Sequence, residues 1–289
     1  MMSMTGYGRK QHAAGGREIT LEIKTVNHRF LDLSLRLPRS LTFAEDAVRK
    51  TISQTLTRGH ADVFLTYTNT REDAREVRVD EALARQYQAA LEKLSAALGQ
   101  QSAELSFIAA QPDVITVTTR EEDQESVMAL LNETLQDVLE DVQAMRAAEG
   151  EALKKDLTLH LDALAALREE IARLAPGVPA AYRDRLSARI RELGVKELDE
   201  QRLAQEVALM ADHCAIDEEL SRLESHIGQM RMAMEAEGEV GRRLDFLTQE
   251  LNREVNTIGS KASDAEITKL VVQAKSEIEK LREQVQNVE

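Results

Sequence analysis

The 289-residue chain is acidic, with 51 acidic against 37 basic side chains, a net charge of −14, no Trp and a single Cys. This length permits a substantial core and two domains. Cys214 cannot form an internal disulfide, which is typical of proteins in a reducing cytosol. The amino terminus has no apolar signal segment, and no run approaches the roughly 18 apolar residues of a membrane span. We therefore expect a soluble, cytoplasmic protein that does not associate with a membrane.

The charge is distributed unevenly along the chain. Residues 1–60 contain ten basic and five acidic side chains, although the whole chain is strongly acidic. Such asymmetry suggests a local basic surface on an acidic body, and a surface of that kind can bind phosphate groups. A solvated, charged strand face explains the same count, so both interpretations stay open at this point.

Residues 1–122 are predicted to form a mixed α/β domain. Strands are indicated by period-2 alternation or β-rich composition at 17–25, 30–37, 61–68, 75–79 and 114–119. Helices are predicted at 42–57 and 80–98. Because some of these elements are joined by short connections, the pattern favours an α+β fold with a small, largely antiparallel sheet.

The rest of the chain is predicted to be helical. Apolar residues keep helical spacing from Val127 to Leu174, which predicts one long helix or two that meet near Gly150, within a middle region at 123–195. The carboxy-terminal domain at 196–289 is predicted to contain helices at 200–236, 239–257 and 264–287. Periodic segments longer than about 25 residues favour a bundle or coiled-coil-like packing, including packing between subunits.

The polar residues of the predicted helix 200–236 are candidates for chemistry. On a helical wheel, one stripe contains Glu206, His213, Asp217 and Glu224, and a second contains Asp212, Glu219 and His226, with Arg222 one turn before His226. Carboxylates combined with imidazole suit a divalent metal that activates water. An exposed helix with ion pairs such as Glu218–Arg222 is the alternative explanation.

Two further segments have unusual polar composition. Glu250, Glu254, Thr257 and Lys261 share one face of the next predicted helix, with Arg253 and Asn256 beside them. Asn27, His28 and Arg29 lie in the predicted loop between the first two strands, where they could contact phosphate or act as acid or base. The chain has no Walker loop, no CxxC pair and no HExxH motif, which excludes several common catalytic templates.

Both ends of the chain resemble the YicC/YloC-like family of bacterial endoribonucleases. The amino-terminal likeness is carried by SMTGYGR at 3–9, KTVNHRFLDLSLRLP at 24–38 and TRGHADVFL at 57–65. The carboxy-terminal likeness is carried by RLAQEVALMAD at 202–212, EELSRLESHIGQM at 218–230 and the run from GRRLDFLTQELNREVNTIGSK to the end at 241–289. The middle of the chain is similar only in length and helical character.

The resemblance implies a cytoplasmic enzyme that cleaves RNA during bacterial RNA turnover, assisted by a divalent cation, Mn²⁺ or Mg²⁺. It also implies a homo-oligomer, specifically a hexamer, which could contact other RNA-decay factors. Taken with the residue patterns, it assigns catalysis to His226, Glu219, Arg222, Glu250 and Glu254. It assigns RNA binding to Asn27, His28, Arg29, Arg36, Arg58, Arg253 and Lys261, and metal binding to Glu219, His226 and Glu206.

One departure from the family pattern affects the metal site. Relatives usually have an Asp-Ile pair before the EEL motif, whereas this chain has Ala215-Ile216, and Asp217 lies on a different helical face. The departure favours Glu219 with His226 as the metal-binding pair.

A non-catalytic RNA-binding adaptor that delivers transcripts to another ribonuclease is the alternative function. In either case the scarcity of aromatic residues predicts contacts to the RNA backbone, with little readout of bases.

Overall fold

A computed structural model describes residues 1–99, 104–120, 122–194, 199–236, 238 and 240–289. Its amino-terminal sheet contains β1 (Gly6–Ala14), β2 (Arg17–Val26), β3 (Leu31–Arg36) and β4 (Gly59–Asn69), in the order β1-β2-β4-β3. The β1–β2 and β2–β4 pairs are antiparallel, and β3–β4 is parallel. The small, largely antiparallel sheet and the helices that follow it confirm the predicted α+β class.

The strand β1 was missed by the sequence analysis, which predicted no element before residue 17. Its inward positions are Gly6 and Gly8, both buried, so the strand lacks the apolar alternation that reveals its neighbours. The glycines are required by packing: a Cβ added at Gly8 would lie 2.6 Å from the carbonyl oxygen of Val138 on the covering helix.

The helix α4 (Gln124–Leu174) is continuous over 51 residues, so the alternative of two helices meeting near Gly150 was wrong. At about 1.5 Å per residue it is about 75 Å long. Its first half covers the sheet in a core that includes Ile19, Leu21, Val63 and Leu135. Its second half belongs to a separate core with the carboxy-terminal helices, in which Leu157 and Leu161 are fully buried.

The carboxy-terminal helices are α5 (Val178–Glu192), α6 (Glu200–His213), α7 (Asp217–Glu235), α8 (Gly241–Lys261) and α9 (Ala265–Val285). The helices α7, α8 and α9 form a bundle with the second half of α4, whereas α5 and α6 pack on each other. None of the described helices is long and apolar enough to cross a membrane. The predicted boundary at 195/196 lies outside the described residues, and the one at 122/123 adjoins the start of α4.

The single helix predicted at 200–236 was wrong, because the chain leaves the helix between α6 and α7. Cys214, Ala215 and Ile216 form the break, and Ile216 is buried in the bundle core. Asp217, Glu218 and Glu219 occupy the first turn of α7, where carboxylates are stabilised by the helix dipole. The predicted stripe of Glu206, His213, Asp217 and Glu224 therefore does not exist as one helical face.

An exposed arm extends from the sheet between residues 70 and 120. The short helix α1 (Glu45–Thr55) precedes β4, and the arm then contains β5 (Arg75–Val79), α2 (Glu81–Leu98), α3 (Leu105–Ala109) and β6 (Ile115–Thr119). The strands β5 and β6 pair antiparallel. Glu122 fixes the base of the arm, because its buried carboxylate accepts hydrogen bonds from Tyr67 at 2.7 Å and Arg71 at 2.9 Å.

We expect Gly8→Ala to lower the free energy of unfolding by about 1–3 kcal/mol, because the new methyl group would press on the α4 backbone. Gly228→Ala is the matched control: Gly228 lies within α7 with open space around its Cβ position. That change should leave stability unaltered or raise it by about 0.5–1 kcal/mol. Urea unfolding followed by circular dichroism measures both, and equal stability of the two variants would contradict the proposed close approach.

Candidate active site and nucleic-acid interface

The seam between α7 and α8 collects all five predicted catalytic residues. Helical spacing places Glu219, Arg222 and His226 on one face of α7. Glu250 and Glu254 occupy successive turns of α8, and Lys261 is its last residue. The two helices pack antiparallel, so the start of α7 meets the end of α8. We refer to these six residues as the seam cluster.

One end of the seam cluster is closed by an ion pair. The Lys261 Nζ lies 2.6 Å from the Glu219 Oε1, and the Glu219 residue is only 7% exposed. Burial raises the pKa of Glu219, but the hydrogen bond from Lys261 and the nearby charges of Lys261 and Arg222 outweigh it, so the pKa is lowered. Glu219 is therefore held as a carboxylate.

The middle of the seam cluster brings together His226, Glu250 and Glu254. One potential ligand atom from each of these residues lies within 4.8 Å of the others. Glu254 is 3% exposed, and the His226 Nδ1 is buried without a hydrogen-bond partner within the part of the chain that the structure describes. An unsatisfied imidazole nitrogen beside two carboxylates is costly unless a further group pairs with them. One imidazole and two carboxylates form a ligand set that fits a divalent cation, because carboxylates bind Mg²⁺ and Mn²⁺ and imidazole binds divalent transition metals.

Basic side chains border this group on its exposed side. The Arg222 Nη1 lies 3.9 Å from the Glu254 Oε1, and the same guanidinium is hydrogen-bonded to Glu218. The Arg253 Nη1 lies 3.9 Å from the Glu250 Oε2. Both arginines are more than half exposed, so they can reach a ligand as well as the carboxylates.

Glu206, a predicted metal ligand, lies apart from this group. It is exposed on α6, before the break, and is not grouped with His226 in the described structure. The predicted ligand Glu219 is on the seam, but its carboxylate is bound to Lys261. Glu250 and Glu254, which were predicted for catalysis, are the carboxylates closest to His226. Ala215 lies in the break itself, away from the helical face that carries His226.

A groove of about 300 Å³ lies between the sheet and the bundle, and it contains two predicted RNA-binding residues. Asn27 and Arg58 line it from the sheet side, and Arg242 lines it from the first turn of α8. The Asn27 Nδ2 donates to the Gln286 carbonyl at 2.6 Å, and the Arg58 Nε donates to the His28 carbonyl at 3.2 Å. The loop between β2 and β3 is thus held against the start of α8 and the end of α9.

Arg242 was missed by the sequence analysis, although a signal was present. Arg242 and Arg243 occupy the start of a long helix, where the dipole disfavours positive charge. A pair of basic residues at such a position suggests a role other than helix stability. The helix α8 therefore begins at a basic groove and carries the acidic group of the seam cluster farther along.

Of the other predicted RNA-binding residues, His28, Arg29 and Arg36 lie on the sheet or its loop, whereas Arg253 and Lys261 lie on α8 at the seam. Arg29 stacks on Phe30, with its guanidinium 5.2 Å from the ring centroid, and His28 contacts the Phe30 carbonyl. Arg36 lies over Phe64 at 4.8 Å, on the strand β3 rather than in the groove. Part of the basic amino-terminal charge is used internally, since Lys10 pairs with Asp141 and Arg17 with Glu122.

The fold and the seam cluster define a two-part protein with a basic groove and an acidic, imidazole-containing centre. Comparison with known proteins shows the family. Residues 1–155 match the family described as endoribonuclease YicC-like, N-terminal region, and residues 171–289 match endoribonuclease YicC-like, C-terminal. The chain therefore belongs to the YicC-like endoribonuclease family.

Two relatives are similar over their full length. The chain is 39% identical over 291 aligned residues to "Probable endoribonuclease YicC" of Clostridioides difficile (strain 630), covering 100% of this chain and 99% of the relative. It is 34% identical over 287 residues to the protein of the same name from Haemophilus influenzae (strain Rd), covering 99% of each.

We expect Glu219→Gln to lower the free energy of unfolding at pH 7 by about 1–3 kcal/mol, because it weakens a charged hydrogen bond. The pKa of Glu219 is lowered in the folded state, so its ionisation stabilises the fold above the ordinary value of 4.5 and this stabilisation is lost as the pH falls further. Wild-type stability should accordingly fall more steeply below pH 4.5 than that of the variant.

Urea unfolding between pH 7 and pH 3 gives both quantities. Glu266→Gln is the control, because Glu266 forms an exposed ion pair with Lys269 that should contribute little. Parallel pH profiles for the wild type and Glu219→Gln would contradict the assigned ion pair.

Proposed function

We propose that this chain is an endoribonuclease that hydrolyses RNA phosphodiester bonds at the seam cluster, in cytoplasmic RNA turnover. The observation that carries the proposal is the group of His226, Glu250 and Glu254, in which the His226 Nδ1 is buried and has no hydrogen-bond partner among the described residues. The family membership and the printed names of both relatives support the reaction class.

His226, Glu250 and Glu254 are the residues that would hold a divalent cation, Mn²⁺ or Mg²⁺. Such an ion lowers the pKa of bound water and stabilises developing negative charge on a phosphoryl group. The chain's own residues have complementary roles. Arg222 can neutralise charge on the reacting phosphate, and the pair of Lys261 with Glu219 keeps the adjacent end of the seam rigid and ionised.

The basic groove supplies the means of holding RNA. Asn27, Arg58 and Arg242 present amide and guanidinium donors in one cavity, a combination that suits phosphate oxygens. One carboxylate, Asp245, also lines the cavity, so its lining has a net positive charge of one. Arg29 and His28 lie at the sheet edge of the same region, and Arg253 is exposed near the seam. Phosphate binding by these residues is independent of sequence and weakens with salt.

We expect His226→Ala to lower the cleavage rate of a labelled single-stranded RNA by about 100-fold or more, while RNA affinity in EDTA stays within twofold. Glu254→Gln should act in the same way and should also weaken Mn²⁺ binding measured by calorimetry. Glu206→Gln serves as the matched control, because it removes an exposed carboxylate on α6 outside the grouped ligands. Gel analysis of fragments with Mn²⁺, Mg²⁺ or EDTA measures activity.

Full cleavage by carefully purified His226→Ala would contradict the assigned centre. Loss of cleavage in Glu206→Gln with retention in Glu254→Gln would place the metal at α6 instead. Tight RNA binding with no fragments in any metal would favour the non-catalytic adaptor.

We further propose that the arm mediates assembly into a homo-oligomer, with a hexamer as the expected form. Val77 pairs with Val117 and Val79 with Ile115, so four apolar side chains lie on one face of the β5–β6 ribbon. All four are exposed, and α2 has no buried residue in this chain. A two-stranded ribbon with an uncovered apolar face is only marginally stable alone, so a second copy is a suitable cover.

We expect the double change Val77→Ser and Val117→Ser to reduce the oligomer to smaller species in light scattering, because it removes the apolar contact. Val272→Ser, at an equally exposed position on α9, is the control and should leave the mass unchanged. Identical masses for the wild type and the double variant would rule out the arm as the interface.

A further inference from the structure

The helix α8 connects the basic groove to the seam cluster through one exposed aromatic residue. Arg242, Phe246 and Glu250 are spaced four residues apart, which places them on successive turns of the same helical face. Arg242 lines the groove, and Glu250 belongs to the group around His226. Phe246 therefore lies about 6 Å along the helix axis from each of them.

Phe246 is not part of the bundle core. Its neighbours Leu244 and Leu247 are fully buried, whereas Phe246 is 58% exposed. All five Phe of the chain are exposed, so exposure alone does not single out Phe246. Its position on α8 does, because it lies between Arg242 in the groove and Glu250 in the seam cluster. The core contacts of α8 are made by other side chains, such as Leu251 and Val255, so the ring of Phe246 is available to a ligand.

The charges around Phe246 indicate what that ligand is. Arg242, Arg243 and Arg253 are all exposed on α8 within about two turns of the ring, and they outnumber the one exposed acid beside it, Asp245, which accepts a hydrogen bond from Gln249. An apolar protein surface would have to desolvate these guanidinium groups without compensation. An RNA strand offers both matching partners, because its bases have flat π faces and its phosphates pair with arginine.

We propose that Phe246 stacks on an unpaired base of the RNA strand, next to the phosphodiester that the seam cluster holds. This inference rests on the proposed function and deepens it, since it makes the substrate single-stranded at the cleavage position. Stacking tolerates any base, so it selects for unpaired structure rather than for sequence.

Replacement of the ring gives a quantitative test. With a labelled single-stranded RNA of about 12 nucleotides in EDTA, we expect Phe246→Ala to weaken binding by about 5- to 150-fold. Phe246→Leu should bind almost as weakly, because it keeps apolar bulk but lacks a π face, and Phe246→Tyr should restore affinity. Val272→Ala, which removes an equally exposed apolar side chain on α9, should have no effect.

Salt dependence separates stacking from charge. Stacking releases no counterion, so the slope of log K against log salt should be the same in Phe246→Ala as in the wild type. Arg242→Ala should reduce that slope by about 0.7, the value for one phosphate contact on a single strand. With Mn²⁺ present, Phe246→Ala should raise KM more than it lowers kcat.

A direct optical readout is available because the chain has no Trp. Phe246→Trp introduces a single indole, and single-stranded RNA should quench its fluorescence. Moving one abasic ribose along the RNA should relieve the quenching at one position only. Quenching that ignores the abasic position, or affinity for RNA that is equal in Phe246→Ala and the wild type, would overturn the proposal.

The remaining outcomes are also decisive. A change in oligomer mass caused by Phe246→Ala, with RNA affinity unchanged, would show that a second copy of the chain covers the ring. If the wild-type protein neither bound nor cleaved RNA, the proposed function itself would be contradicted, and the stacking inference with it. Normal wild-type cleavage with an unaffected Phe246→Ala variant would remove only the stacking inference.

Discussion

The uninterrupted passage of α4 through both hydrophobic cores is the constraint on which the arrangement of groove and seam depends. The sheet packs on its first half and the bundle on its second half. Arg146, buried in the middle of α4, reinforces this link: its Nε donates to the Ser3 carbonyl at 2.6 Å, and its Nη2 pairs with Glu289. A buried guanidinium must be paired in this way. Ser3 and Glu289 are therefore both held at Arg146. Asn27 in the sheet loop binds Gln286 after α9, which holds the loop beside the start of α8.

The seam cluster shows a different use of buried charge. The pair of Lys261 with Glu219 orients the hairpin of α7 and α8, although the Glu219 Oε2 is buried without a hydrogen-bond partner among the described residues. A few turns away, the buried His226 Nδ1 also lacks a partner there, and His226 lies in a group with Glu250 and Glu254. Bundles usually avoid such a cost, because each unsatisfied group destabilises the fold by about 1–3 kcal/mol. Both unpartnered buried side-chain atoms found among the described residues, the Glu219 Oε2 and the His226 Nδ1, belong to the seam cluster, and this concentration separates a functional site from a general polar interface.

Local periodicity was sufficient to predict much of this protein, and tertiary packing accounts for what it missed. The shared face of Glu219 and His226, and that of Glu250 and Glu254, follow from helical spacing alone. Their meeting across the seam does not, because it depends on the antiparallel packing of α7 on α8. Strand β1 was hidden because glycine replaces apolar residues where α4 approaches closely. The break at 214–216 contains neither Pro nor Gly, although three acidic residues in the first turn of α7 were an available signal.

The net charge of −14 does not conflict with RNA binding, because the range of electrostatic forces in salt is short. The Debye length at physiological ionic strength is about 8 Å, so a phosphate in the groove interacts mainly with the charges that line it, Arg58, Arg242 and Asp245, which sum to +1, and only weakly with distant acids. The helix α8 sorts its charges accordingly, with exposed arginines outward and Glu254 inward. Phosphates would be attracted along the outer surface and kept from the carboxylates by repulsion, unless a cation lies between them. Under the proposed function, the geometry that offers RNA a surface on an acidic protein would therefore make the approach of RNA to the seam depend on a bound positive charge.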